Sequence, residues 1–341
     1  MSVISFKPKQ VTKKIISPLK NRSYDVIVAR YGLEDGDRRT LESIGQKYGI
    51  TRERVRQIEN AAINSIRKSG EMKEFDGIFE ELHRIVKDMG LVVAEEDLLN
   101  HISKDPVVQN HIHFYLVLED RFHKFKEDDH LRSRWTIDKG LSEKIHTALK
   151  GLYASLDDAE LLTENDVVKR FIESLQDIRE EYKKEEIAKR WLTLSKKVKA
   201  NPLGEWGKSD SSGIKVRGIK DYAYLTMRKN GSPMHFTEVA KAIQKDFGKK
   251  CHTATCHNEL IKDDRFVLIG RGMYSLSDWG YKPGIVREVI KEILVKEGPM
   301  TKEEVVEKVL KERYLKRNTI LVNLQNSKYF KKDKNGLYHA I

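Results

Sequence analysis

Apolar residues at helical spacing predict two consecutive helices between residues 39 and 68. The buried side of the first helix would be formed by positions three or four apart, Leu41, Ile44 and Tyr48. Gly49 interrupts this period, and Thr51 is of a residue type that caps helix N-termini. The inward positions of the second helix are again three or four apart, Val55, Ile58, Ala62 and Ile66. Two short helices joined by a tight turn predict a helix-turn-helix motif.

The opposite side of the second helix carries long polar side chains, at Arg52, Glu53, Arg56, Gln57 and Asn60. Arginine, glutamine and asparagine can form paired hydrogen bonds with base edges in the major groove, and glutamate can accept a hydrogen bond from cytosine. The second helix of a DNA-binding helix-turn-helix enters that groove with its N-terminal residues first. This surface is therefore predicted to bind duplex DNA.

The alternative is a solvated surface helix held by its own ion pairs, because Glu53 lies within reach of Arg56 and Gln57 along one side of the helix. The charge balance favours DNA binding. Residues 51–68 hold five basic residues against two acidic ones, and the basic residues are concentrated at the start of the helix.

A family resemblance supports this interpretation. The stretch RYGLEDGDRRTLESIGQKYGITRERVRQIENAAINSIRK resembles the fourth conserved region of bacterial primary sigma factors, over about residues 22–69. That region reads the upstream promoter hexamer. The resemblance implies that four residues contact bases, Arg52, Glu53, Arg56 and Gln57. It also implies that Arg54 contacts phosphate or supports the helix.

The resemblance has a limit. No stretch of this sequence resembles the aromatic-rich sigma region that captures and melts the downstream promoter element, and only about forty residues precede the helix-turn-helix. The resemblance therefore implies DNA reading and gives no support for promoter opening.

Further along the chain, the same sequence of patterns recurs. Residues 71–140, 218–280 and 281–341 each predict three helices followed by a β-hairpin, which is the winged-helix plan. In the last segment Ile285 would belong to the first helix, and an Asn-Gly turn would join the two strands. The endings EDRFHKF, DDRFVLI and SKYFKKD resemble one repeated element, with equivalent aromatic positions at Phe122, Phe266 and Tyr329.

Two segments give weaker patterns. Residues 1–20 are basic and contain two prolines, and we expect a disordered arm. Residues 141–217 predict helices and a polar stretch that is either a linker or a wing, so they form a degenerate winged helix or a helical linker unit. The fold class is mainly α, with these predicted domains: 1–20, 21–70, 71–140, 141–217, 218–280 and 281–341.

A second resemblance concerns residues 219–279. The stretches GSPMHFTEV and CHTATCHNELIKDDRFVLIGRGMYSL are similar to the HARE winged-helix family, which occurs in the delta subunit of bacterial RNA polymerase, in restriction enzymes and in chromatin proteins. The resemblance implies a helical domain of DNA-linked proteins that contacts DNA or polymerase. It does not imply catalysis.

Composition agrees with several small helical domains, because 39% of the 341 residues are hydrophobic and 34% are charged. The net charge of +12 is unevenly placed. Residues 1–70 hold 15 Lys and Arg against 7 Asp and Glu, and residues 281–341 hold 14 against 8. Basic segments near both ends imply contact with a polyanion. A merely solubilising surface would not need this asymmetry.

Two cysteines imply no disulfide framework, and a reducing compartment is the default. No apolar run approaches the length of a membrane span, and the basic N-terminus lacks the apolar segment of a signal peptide. We therefore expect a cytoplasmic protein without a membrane partner.

Metal binding is not predicted. Cys251, His252, Cys256 and His257 are close in sequence. On a helix, however, His252 and Cys256 would share a face while Cys251 and Cys256 would not, and no second cluster follows at zinc-finger spacing. His111 and His113 are expected to be ordinary surface or partly buried residues.

Catalysis is not predicted either. The sequence contains no glycine-rich phosphate loop ending in Lys-Ser or Lys-Thr. It has no acidic cluster with the arrangement of a nuclease and no nucleophile with a spaced histidine. We expect no enzyme activity, no cofactor and no small-molecule substrate.

These patterns and resemblances lead to one hypothesis. The protein is expected to be a sigma-like transcription factor that reads promoter DNA and acts in initiation with RNA polymerase. Its DNA-binding residues would be Lys47, Arg52, Glu53, Arg54, Arg56, Gln57 and Asn60, with Lys47 and Arg54 on phosphates. The alternative is a DNA-binding specificity or sensor component of a DNA-modification or restriction defence system.

Overall fold

The computed structural model describes residues 3–158, 160–176, 178–281, 286–312 and 316–341. The described residues are mainly helical, as predicted. They divide into two compact units, one of residues 1–200 with 205–209 and the other of residues 201–204 with 210–341. The domain boundaries expected from the sequence stay predictions, because each unit holds several of the expected domains.

The first unit contains ten α-helices and five short strands in its described residues, besides two short 3-10 helices. The helices are α1 (Pro8–Ile15), α2 (Arg22–Tyr31), α3 (Leu41–Tyr48), α4 (Arg52–Lys68), α5 (Asp76–Asp88), α6 (Glu95–Ile102), α7 (Pro106–Leu118), α8 (Lys139–Ser155), α9 (Glu164–Ser174) and α10 (Glu185–Leu192). The strands are β1 (Val92–Ala94), β2 (His123–Phe125), β3 (Arg134–Thr136), β4 (Val198–Ala200) and β5 (Trp206–Lys208).

The N-terminal segment is not a disordered arm, so that prediction is wrong for residues 3–20. Helix α1 is amphipathic, with its lysines exposed and its apolar side against α7. The hydroxyl of Thr12 is buried 2.8 Å from Nδ1 of His111 and 2.7 Å from the hydroxyl of Tyr115. Tyr115 donates its own hydrogen bond to the carbonyl oxygen of Pro8, over 2.6 Å. Burial of Ile15 and satisfied polar groups offset the entropy lost on ordering this segment.

Helices α2, α3 and α4 form the predicted helix-turn-helix with its supporting helix. Three fully buried residues, one from each helix, form a small core of their own: Val26, Ile44 and Val55. The other side of α2 and α4 joins a larger core shared with α5 and α7, through residues such as Ile27, Ala62 and Ile66. The motif therefore packs against the rest of the first unit and does not stand apart from it.

Polar contacts fix the motif on α7. The side-chain amide of Asn110 donates to the carbonyl oxygens of Gly32 (3.1 Å) and Gly36 (2.8 Å) and accepts from Nε of Arg38 (2.6 Å). At the far end of α4, Arg67 donates to the carbonyl oxygens of Val117 and Leu118, which end α7. These bonds hold the base of α4 and leave its first turns unobstructed within the unit.

The first winged helix consists of α5, β1, α6, α7, β2 and β3. Its sheet has the strand order β1-β3-β2, in which Trp135 lies between Val93 and Lys124. The sequence predicted β2 and β3 but missed β1, because three buried residues directly before a helix show no alternation.

Helix α7, the third helix of this copy, is buried along most of its length. The expectation for His111 and His113 is therefore wrong, since both side chains are buried and burial is the largest cause that lowers the pKa of each.

Residues 139–208 repeat the same plan. Helices α8, α9 and α10 are followed by the hairpin of β4 and β5, and Leu162 forms an isolated bridge with Trp206 in the place of the missing first strand. Phe171 and Trp191 are fully buried in the core of this copy. The polar stretch is predicted as either a linker or a wing, and its first residues lie in a wing strand, Trp206–Lys208.

The second unit contains two more copies. In the first, the elements are α11 (Ile219–Asn230), β6 (Met234–His235), α12 (Phe236–Phe247), α13 (Thr253–Lys262), β7 (Phe266–Gly270) and β8 (Met273–Leu276). The strand order β6-β8-β7 matches that of the first winged helix. The hairpin turns at Arg271, with φ at 44°, between Gly270 and Gly272.

Arg265 anchors the hairpin of this copy. Its guanidinium donates to Asp221 at the start of α11 and, through two nitrogens, to Asp263. The side chain of Asp263 is 11% exposed. Hydrogen bonds from Arg265 are the largest cause that lowers the pKa of Asp263, to about 2.

Stability of this copy should therefore depend on pH at acid values. A carboxylate with a depressed folded pKa stabilises the fold above its unfolded pKa, and this contribution is lost as pH falls from about 4 to about 2. We expect Asp263→Asn to remove about 1 kcal/mol of that pH-dependent stability, after allowance for solvent screening. Denaturant unfolding measured across this pH range checks it. Asp264→Asn, which removes the exposed neighbouring carboxylate, is the control, and equal pH profiles for both variants would contradict the assignment.

The last copy comprises α14 (Val286–Glu297), α15 (Lys302–Glu312), α16 (Arg317–Leu324), β9 (Phe330–Lys332) and β10 (Tyr338–Ala340). Met300 bridges to Tyr338 as the remnant of the first strand. Thr301 and Glu304 form a capping box at the start of α15, through bonds of 3.3 Å and 2.8 Å between side chain and backbone. Ile285, expected in the first helix of this copy, lies outside the described residues.

Candidate nucleic-acid interface

The turn between α3 and α4 depends on two glycines. Gly49 ends α3 with φ at 63°, a left-handed conformation that glycine adopts without steric cost. Gly45 lies inside α3, where the chain after the turn folds back so closely that a Cβ atom would lie 2.6 Å from the carbonyl oxygen of Ile50. The N–H of Ile50 in turn donates to the carbonyl oxygen of Gly45, over 3.0 Å, which fixes this close approach. The sharp angle between the helices therefore requires glycine at both positions.

Each helix of the motif begins with a threonine cap. The hydroxyl of Thr40 accepts from the N–H of Ser43, and that of Thr51 accepts from the N–H of Arg54, over 3.2 Å. An N-cap hydroxyl satisfies one of the free N–H groups of the first turn and fixes where the helix starts. The cap at Thr51 thus sets the position of the side chains predicted to meet DNA.

Loss of that cap should weaken the start of α4. We expect Thr51→Ala to lower the free energy of unfolding by about 1 kcal/mol. Hydrogen exchange at the first turn of α4 should also become faster. Thr51→Ser keeps the acceptor oxygen and serves as the control. Unchanged exchange in the alanine variant would contradict the role of the cap.

All seven residues predicted to bind DNA are exposed: Lys47, Arg52, Glu53, Arg54, Arg56, Gln57 and Asn60. Six of them lie on α4 and Lys47 lies on α3 just before the turn. In the same helix the apolar residue Val55 is fully buried. The helix therefore separates a packed side from a polar side, as its sequence period predicted.

Some of these side chains pair with one another along the helix. The guanidinium of Arg56 donates two hydrogen bonds to the carboxylate of Glu53, over 2.7 Å and 2.9 Å. A nitrogen of Arg54 donates to the amide oxygen of Gln57 over 3.1 Å. Hydrogen bonding to Arg56 is the main reason why the pKa of Glu53 is lowered, and the same bonds raise the pKa of Arg56. The ion pair expected if α4 were only a solvated surface helix is therefore present.

This pairing leaves the side chains available. The side chains of Arg56 and Glu53 are 54% and 58% exposed, so water and salt screen their attraction. An exposed pair of this kind contributes little to stability and is released at small cost. The pair holds Arg56 extended along the outer face, in reach of a partner.

One neighbouring cation was missed by the sequence analysis. Arg22, at the start of α2, lies 5.8 Å from the ring centre of Tyr48, and Lys47 lies 5.3 Å from the same ring. The fold brings Arg22 and Lys47 together although they are far apart in sequence. The basic surface beside the turn is therefore larger than α3 and α4 alone supply.

Metal binding and membrane crossing find no support in the described part of the chain. It holds no group of three or more His, Cys, Asp or Glu side chains that could bind a metal ion. Cys251 and Cys256 are free thiols there, and Cys256 is buried. None of its helices combines the length and apolar character of a membrane span.

The tight turn, the capped second helix and the exposed polar face define a helix-turn-helix domain. More particularly, residues 15–68 match the family described as Sigma-70, region 4. This finding confirms the sigma resemblance predicted from the sequence. The HARE resemblance of residues 219–279 stays a prediction.

Individual sigma factors match the same part of the chain. RNA polymerase sigma factor SigA of Listeria monocytogenes is 40% identical over 70 residues, which is 20% of this chain and 19% of that protein. SigA of a Nostoc species is 44% identical over 66 residues, 18% of this chain and 17% of that protein. RNA polymerase principal sigma factor HrdD of Streptomyces griseus is 37% identical over 75 residues, 22% of this chain and 23% of that protein. The chain thus spans about a fifth of the length of these relatives.

Proposed function

We propose that this protein is a sigma-like DNA-binding factor that reads duplex DNA through the exposed face of α4. The observation that carries the proposal is the exposure of the polar side of α4 in a segment that matches sigma-70 region 4. In this proposal the first turns of α4 enter the major groove, as the second helix of a helix-turn-helix does.

Base reading falls to Arg52, Glu53, Arg56 and Gln57. Arg56 is suited to donate two bonds to guanine, and Glu53 to accept from cytosine once the two side chains separate. Asn60, one turn further along, reaches the edge of the same groove. Gln57 is suited to pair with adenine through its amide.

Phosphate contacts fall to Lys47 and Arg54, with Arg22 beside Lys47. Contacts of this kind set orientation and register on the duplex and make affinity fall steeply with salt. The α4 N-terminus adds a favourable field for a phosphate, because helix dipoles are positive there.

The partners follow from the relatives, which carry RNA polymerase in their names. We propose that RNA polymerase is the protein partner, that the process is transcription initiation and that the factor has no catalytic role of its own.

Two measurements together test the proposed function. Selection of bound duplexes from a random pool should enrich one short motif. Footprinting of that motif in promoter DNA should then show protection upstream of start sites that strengthens when RNA polymerase is added.

Two other outcomes would contradict the proposed function. A pool with no enriched motif would contradict base reading by α4. Protection that ignores polymerase but increases on chemically modified DNA would instead support a sensor component of a DNA-modification or restriction system.

A further inference from the structure

Four copies of one fold in the same chain allow their third helices to be compared directly. In the first copy α7 is buried along most of its length and carries no Lys, Arg, Asp or Glu. In the second, α10 carries two acidic and two basic residues, and Lys189 is paired with Glu164 and Glu185. In the third, residues 253–276, which span α13 and its hairpin, carry three basic and three acidic residues. Among the described residues, the last copy combines an exposed third helix with four exposed lysines in and beside its hairpin, Lys328, Lys331, Lys332 and Lys334.

Charge is sharply divided within that last copy. Residues 286–312, which form α14 and α15, hold six basic and seven acidic residues. Residues 316–341, which form α16 and the hairpin, hold six basic residues and one acidic residue. A basic helix and wing on a near-neutral scaffold are the electrostatic footprint of nucleic-acid binding.

The single acidic residue of this segment, Asp333, is bonded within the turn of the hairpin, and its one charge leaves the segment basic. One carboxylate oxygen of Asp333 accepts from the N–H groups of Asn335 (2.8 Å) and Leu337 (2.9 Å), and the other lies 3.0 Å from Nε2 of His339. Asp333 therefore serves to shape the turn of the wing. It holds the two strands in a fixed form at the point where they project.

The lysines of this surface are exposed and remain without ion pairs within the described residues. This group comprises Lys328, Lys331, Lys332 and Lys334. Lys332 lies 5.8 Å from the ring centre of Tyr338, its partner across the hairpin. By contrast, Lys308 and Lys311 on α15 pair with Glu297 and Glu307.

The exposed face of α16 suits a groove. Asn318, Val322 and Gln325 are exposed at successive turns, and Val322 has 68% of its surface in solvent. Amide side chains can bond to base edges, and an exposed apolar side chain can contact a thymine methyl group. Arg317, at the first position of the helix, has a guanidinium nitrogen 3.8 Å from a carboxylate oxygen of Glu303 on α15. Both side chains are exposed, so this pair is released at small cost and Arg317 can meet a phosphate.

We propose that the C-terminal winged helix is a second duplex-DNA-binding surface, with α16 against the major groove and Lys328, Lys331, Lys332 and Lys334 on phosphates. Its binding is mainly electrostatic and independent of α4.

The test compares two triple variants of the full chain that remove equal charge. The wing variant carries Lys331→Gln, Lys332→Gln and Lys334→Gln. The control carries Lys296→Gln, Lys308→Gln and Lys311→Gln, on α14 and α15. Affinity for a random-sequence duplex is measured as a function of salt, after thermal unfolding has shown that both variants fold as the wild type does.

We expect the wing variant to make the slope of log K against log salt less steep by about 2 to 3, since each lost phosphate contact contributes about 0.9. Its affinity at physiological salt should fall by about tenfold or more. The control should keep the wild-type slope. The same measurement is made with duplex RNA of equal length. Equal slopes for the two variants on DNA would overturn the proposal, as would a loss of affinity seen for RNA but not for DNA.

The result is separable from the proposed function of α4. Random duplex contains no preferred site, so binding through the wing is measured without base reading by α4. Failure to enrich a motif would leave the wing prediction intact, and failure of the wing prediction would leave motif enrichment intact.

Discussion

Replacing Arg56 with alanine is expected to cost about 1–3 kcal/mol of binding free energy on the preferred duplex and much less on random duplex. Arg56 is exposed and is held along the outer face of α4 only by a screened pair with Glu53. Its loss removes a paired contact with a base, while the phosphate contacts that support random binding remain. Quantitative binding to both duplexes at one salt concentration measures the difference.

The matched control for this change is Arg84→Ala. Arg84 is also an exposed arginine of the first unit, but it lies on α5 outside the motif. Its replacement should alter both affinities little. If Arg56→Ala lowers the two affinities by the same factor, Arg56 acts as a phosphate contact and does not read a base.

Replacing Gly45 with alanine is expected to disrupt the helix-turn-helix. The new Cβ would lie 2.6 Å from the backbone carbonyl oxygen of Ile50, and a backbone atom cannot move aside as the end of a side chain can. Forcing a methyl group into a packed site costs about 1–3 kcal/mol, and here the turn itself must shift. Hydrogen exchange of α3 and α4 should become faster, and affinity for the preferred duplex should fall strongly.

Gly151→Ala provides the opposite case with the same chemical change. Gly151 lies within α8, and its added Cβ would have no neighbour within 4 Å among the described residues. Alanine there should stabilise the helix by about 0.5–1 kcal/mol. Equal effects of the two alanines on exchange in α3 and α4 would contradict the close approach at Gly45.

The motif could be predicted from the sequence because its determinants are local. The period of apolar residues gave the buried side of α4, Thr51 gave its start, and Gly49 gave the end of α3. The same locality explains the capping box at Thr301 and the turn at Arg271. Where a few consecutive residues decide the conformation, pattern alone is sufficient.

The parts of the fold that the sequence did not predict depend on contacts between residues that are distant in sequence. Helix α1 is held in place because Thr12 bonds to His111 on α7 and Ile15 is buried in the shared core. The first twenty residues contain no pattern that predicts these distant contacts. The bridge of Leu162 with Trp206 completes the second winged helix through one pair of residues. His111 is polar in sequence and yet buried, because its Nδ1 has a hydroxyl partner from α1.

The candidate site also combines features that local sequence predicts with features that depend on the packing of distant residues. The exposed residues of α4 were predicted one by one, since the helix period separates them from Val55 and Ala62. The position of Arg22 beside Lys47 was not predicted, because it depends on how α2 packs against α3. The bond between Arg56 and Glu53 was foreseen as an alternative to DNA binding, whereas its exposure makes it compatible with DNA binding.

Photocrosslinking from the outer face of α4 tests the central claim most directly. Benzoylphenylalanine in place of Gln57 should crosslink to the bases of the selected motif, at one fixed position in the site. The same group in place of Arg84 on α5 should give none. Absence of a crosslink from position 57, or crosslinks spread evenly along any duplex, would contradict base reading by this helix.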